Sequence, residues 1–165
     1  MFQRILVPFD GSRASYRGLE EALKLASGQP ATLYLLHVVD DLAVTPGMDG
    51  MSLYVSTPLA EDLLKALRDG GKRVLAKAEA KAGKANVKTR PILVETAGYG
   101  VADVILRQAK KTKADLIVMG THGRRGMARL VMGSDAEGVV RGTRVPVLLV
   151  RASDAPKTRA KRTTK

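Results

Sequence analysis

Five apolar runs of strand length, separated by stretches of helical period, constrain this fold more than any other feature. "RILVPF" (4–9), "TLYLLHVVD" (32–40), "VKTRPILVET" (87–96), "ADLIVMG" (114–120) and "RVPVLLV" (144–150) read as strands. Several are apolar nearly throughout, as strands covered on both faces are. After the first, "DGS" predicts a turn with Ser12 as helix N-cap. Tyr16, Leu19, Ala22, Leu23 and Ala26 then repeat along one helical face until Gly28 and Pro30. A charged helix is predicted from about Leu59 to Ala82; its Gly70-Gly71 pair, costing about 2 kcal/mol relative to alanines, leaves room for a kink or break there. Val101, Val104, Ile105 and Ala109 mark a third helix, and Ser134 to about Arg141 a short fourth. Residues 40–57, with Pro46, Gly47 and Gly50, read as a long loop. This alternation predicts an α/β fold: an open five-stranded parallel sheet with helices on both faces.

A chain of 165 residues suits one domain. No apolar run has the length to cross a bilayer, and the start of the chain lacks a cleavable signal pattern. With no cysteine there is no disulfide framework, and the expected location is the cytoplasm. The two histidines argue against a transition-metal site: His37 reads as a hydrogen-bonded core residue and His122 as a loop residue. The net charge of +12 invites a nucleic-acid reading, but six of the basic residues sit against one acid in 151–165. That segment reads as a disordered basic tail, and nonspecific tail contact is the only nucleic-acid binding expected. Lys72, Lys77, Lys81 and Lys84 read as a solvated helix face.

In an open parallel sheet, ligands bind beyond the carboxyl ends of strands where the strand order reverses. "VPFDGS" and "VMGTHG" both end strands, and they share one crevice if those strands are neighbours. The second opens "GTHGRRGMARLVMGSD", residues 120–135. Its glycines fit two readings. They are turn residues before a capped helix, or they clear space so that backbone N–H groups can close on phosphate, with Arg124, Arg125 and Arg129 around it.

Gly120, Gly123, Gly133 and Ser134 fit the signature G-x2-G-x9-G-(S/T), and with "ILVPFDGS", "LLHVVD" and "VPVLLVR" the chain resembles the universal stress proteins. The resemblance covers almost all of residues 1–151 and leaves 152–165 as a tail. It implies a Rossmann-like sheet, homodimerisation through the last strand (145–150) and ATP as cofactor. By position it implies that Asp10 bonds the ribose, with Pro8 at the adenine end and Val38 packed on the base. Met119 and Gly120 would border adenine and ribose, while Gly123, Gly133 and Ser134 face the phosphates, flanked by His122 and Arg124. The chain departs at Asp135, where the family often has Val, Ser or Thr. That carboxylate either faces solvent at the helix start or serves a Mg2+ on the triphosphate.

The expected function is ATP-dependent stress signalling with a protein partner, and no membrane is expected to take part. Two alternatives stay open: slow ATP hydrolysis or autophosphorylation at the same site, and a nucleic-acid role led by the tail.

Overall fold

The computed structural model describes residues 1–40, 57–121 and 132–152. β1 (Arg4–Pro8), α1 (Arg13–Ala26), β2 (Thr32–Val39), α2 (Thr57–Lys84) and β3 (Lys88–Glu95) form the first half. α3 (Val101–Thr112), β4 (Leu116–Gly120), α4 (Ser134–Gly142) and β5 (Val147–Val150) follow. The five strands make one parallel sheet in the order β3-β2-β1-β4-β5. Strands alternate with helices, so each crossover lays a helix on the sheet.

Both faces are covered, which is why β1 buries Ile5, Leu6 and Val7 in succession with no exposure. Ile5, Val7 and Phe9 point to α1 and α2, where Leu19, Leu23, Leu75 and Ala78 meet Leu33, Leu35 and Val118. Leu6 points to the other face, with Leu36, Ile117 and Met119 under Ile105, Ala109, Ala136 and Val139 of α3 and α4. Phe9 also meets Tyr16 edge to face at 4.9 Å between ring centroids.

Ser12 caps α1 as expected: its Oγ accepts from the Ser15 amide at 3.1 Å, and its carbonyl accepts from the Ser15 hydroxyl. The Gly70-Gly71 pair, which leaves room for a break, does not interrupt the helix, and α2 is continuous. Tertiary contact overrides the propensity. A β-carbon on Gly71 would stand 2.6 Å from Leu93 Cδ1 and 2.7 Å from His37 Cδ2, so the glycine lets α2 settle onto β2 and β3. Lys81 also departs from the solvated-face reading. It is half-buried, bonds Glu20 at 2.6 Å and lies 5.8 Å from the Tyr16 ring centroid, tying α2 to α1.

Candidate functional site

Strand order reverses between β1 and β4, which pair directly, Ile5 with Leu116 and Leu6 with Ile117. The two strand ends carrying the unusual chemistry are therefore neighbours, at the place where such sheets leave a crevice. Residues two apart share a face, so Pro8 lies on the side of Leu6, Val38 on that of Leu36, and Met119 on that of Ile117. Pro8 stands opposite Leu36, so Val38 reaches one step further and pairs with Val94. Met119 is buried, while Val38 and Pro8 are half-buried. These three sequence-predicted residues thus share the sheet face that bears α4.

Beyond β1 the chain is held in place. The Phe9 amide donates to the Leu36 carbonyl, and His37 Nδ1 donates to the Phe9 carbonyl at 2.8 Å. A carbonyl only accepts, so this bond fixes the proton on Nδ1. His37 is the core histidine expected, 4% exposed. Asp10 follows, half-buried, and its Oδ1 accepts from the Ser12 amide at 2.9 Å. Gly11 turns the chain between them at φ +81, a torsion that favours glycine.

At the end of β4 the Thr121 amide donates to the Val150 carbonyl, and the Thr121 carbonyl accepts from the Gly133 amide at 2.8 Å. That bond brings the start of α4 back to the strand end. His122, Gly123 and Arg124, with Arg125 and Arg129, lie outside the described residues. Gly133 is the N-cap of α4, with φ −78 and ψ 157 and no side-chain cap. The first helical bond runs from the Glu137 amide to the Gly133 carbonyl, so the amides of the turn before it have no acceptor within the helix. Ser134 and Asp135 are exposed there. Asp135 and Glu137 place acid at the positive end of the helix, and Glu137 pairs with Arg141 at 2.7 Å.

The profile of the universal stress protein family matches residues 1–151. The chain belongs to that family. A universal stress protein of Methanocaldococcus jannaschii is 36% identical over 152 residues, 92% of this chain and 83% of that one. The structure of a universal stress protein from Lactobacillus plantarum superposes with a TM-score of 0.75 at 25% identity, covering 90% of this chain and 97% of the other. One from Archaeoglobus fulgidus, in complex with dAMP, superposes at 0.59 and 25% identity, covering 90% and 97%.

Sequence reasoning missed what this universal stress protein packs against the end of β4. Ala14 and Gly18 of α1 are both buried there: Gly18 faces the Met119–Gly120 backbone, and Ala14 faces Gly120. The signal was present, small residues one turn apart on the apolar face of a helix. A second missed feature stands at the end of β3, where Arg68 of α2 bonds Glu95 through two nitrogens, Nε to Oε1 at 2.5 Å and a terminal nitrogen to Oε2 at 3.1 Å. This fork holds the Arg68 guanidinium pKa above its ordinary value. Among the described residues no three His, Asp or Glu side chains group as metal ligands, and no helix is long and apolar enough to cross a membrane.

Proposed function

We propose that this universal stress protein binds ATP, alone or as its Mg2+ complex, in the crevice between β1 and β4. The observation that carries the reading is the backbone of Gly133. Its torsions are open to any residue, so the turn itself does not call for glycine. Close approach of an anion to a helix N-terminus does. Thr121 takes the Gly133 amide, which leaves the phosphates to the first turn of α4 and the Ser134 hydroxyl. Asp10 bonds the ribose, and Pro8, Val38 and Met119 supply an apolar wall for adenine, with Gly120 at its edge. His122, Gly123 and Arg124 complete the cradle by the family pattern, and Asp135 supports the helix end. The adenine nucleotide held by the Archaeoglobus fulgidus relative supports the ligand class.

The nucleotide unit spans residues 1–151, with 152–165 a basic tail outside it, and the protein works in the cytoplasm. It forms a homodimer through the edge strand β5, where Leu148 is exposed, and occupancy of the site alters that dimer or a protein partner. Light scattering showing a monomer at about tens of micromolar overturns the dimer.

Calorimetric titration of ATP and adenosine tests the site. Gly133→Val should weaken ATP by more than about tenfold, through a few lost hydrogen bonds to charge, and adenosine much less. Asp10→Ala should weaken both alike. Equal losses of ATP and adenosine in the Gly133 variant, or unchanged ATP affinity, overturn the reading.

A further inference from the structure

Helices here run antiparallel to the strands, so every helix C-terminus lies at the end of the sheet opposite the nucleotide crevice. Cations gather there because they offset the negative helix ends. Lys110 and Lys111 stand in the last turn of α3 with Lys113 just beyond, all exposed. The Arg4 guanidinium joins them, its Nε donating to the Lys113 carbonyl at 2.7 Å. The sheet extends this charge. Arg4 pairs with Thr32 and Thr32 with Lys88, so the three form one row across β1, β2 and β3, on the face of α3. In the next row on that face, Tyr34 pairs with Arg90.

α3 lies over β1 and β2 and leaves Lys88 and Arg90, on the edge strand, exposed. Tyr34 beside them is only half-buried. Strands about 4.8 Å apart and residues about 3.3 Å apart along them place Tyr34, Lys88 and Arg90 within about 8 Å of one another. Among the described residues, none of Lys88, Arg90, Lys110, Lys111 and Lys113 forms an ion pair. The nearby acid Asp115 is already engaged, its carboxylate accepting from the Gln3 and Arg4 amides at 2.8 and 2.9 Å.

We propose that this sheet face, with Tyr34 flanked by Lys88 and Arg90 and continued by the lysines at the end of α3, docks single-stranded nucleic acid. The cations meet the phosphate backbone, and an unstacked base covers Tyr34. A duplex keeps its bases stacked and offers the ring nothing. The surface is independent of the nucleotide crevice and of the basic tail, to which sequence reading confined such contact.

Fluorescence polarisation of a labelled oligouridylate over a salt series tests it on the full chain. Lys88→Glu with Arg90→Glu should raise Kd by about tenfold or more and flatten the salt slope by about 1.4, the share of two single-strand phosphate contacts. Lys88→Gln with Arg90→Gln should act in the same direction more weakly. Tyr34→Leu should weaken the oligonucleotide severalfold without flattening the slope. Thermal melts matching the parent establish that each variant is folded. Three outcomes overturn the proposal. One is oligonucleotide binding unchanged in these variants. Another is binding that disappears when Lys157, Arg159, Lys161 and Arg162 are made glutamine. The third is phosphatidylserine vesicles, or the duplex, binding this face in preference to the single strand.

Discussion

Gly120 and Ala14 stand so close that a β-carbon built on the glycine would lie 2.7 Å from that of the alanine and 2.9 Å from its carbonyl carbon. The first glycine of the signature therefore seats α1 on the end of β4. Backbone cannot yield as a flexible side chain does, so Gly120→Ala should cost about 1–3 kcal/mol from overpacking. Urea denaturation without nucleotide measures it. A stability equal to the parent's would show that the seat is not tight.

The two glycines in α2 should respond with opposite signs. Gly70 has only an Arg73 nitrogen near, at 3.8 Å, so Gly70→Ala should gain up to about 1 kcal/mol of helix propensity. Gly71→Ala gains the same propensity but drives a methyl into His37, which its bond to the Phe9 carbonyl holds in place. Its net effect should be a loss of about 1 kcal/mol or more. Thermal melts that stabilise both variants alike would contradict this packing.

Ala97 and Gly98 both have positive φ, 48 and 82, in a turn closed by the Tyr99 amide on the Thr96 carbonyl at 3.0 Å. Alanine pays about 1 kcal/mol or more in that left-handed region, while glycine pays in unfolded-state entropy. Ala97→Gly should stabilise the protein by up to about 1 kcal/mol. A lower denaturation midpoint would refute it.

The Lys81 hydrogen bond holds the Glu20 carboxyl below its ordinary 4.5, against the desolvation that raises it; Arg17 adds to the lowering. A depressed carboxylate contributes stability that is present above its unfolded pKa and is lost as pH falls through its folded one. Lys81→Gln should therefore reduce stability near neutral pH, and the gap to the parent should narrow below about 4.5. Denaturation midpoints across that range check it. A gap that widens in acid would reverse the sign.

The amino-acid sequence by itself determined the order of strands and helices, the Ser12 cap, the start of α4 at Ser134 and the buried state of His37. Each is written within a few neighbouring residues, in period, capping chemistry or apolar surroundings. It also carried the spaced glycines that pointed to the family. Tertiary structure alone decided that β1 lies beside β4, and so that the strand ends leading to Asp10 and to Thr121 are neighbours. It decided, too, that Gly71 lets α2 run unbroken onto His37, that Gly120 receives α1, and that Lys81 reaches Glu20. These depend on contacts between residues far apart in the chain, such as Arg4 with Asp115, 111 positions away. Local propensity worth about 1 kcal/mol per residue carries no record of them, and the packing of buried faces overrides it.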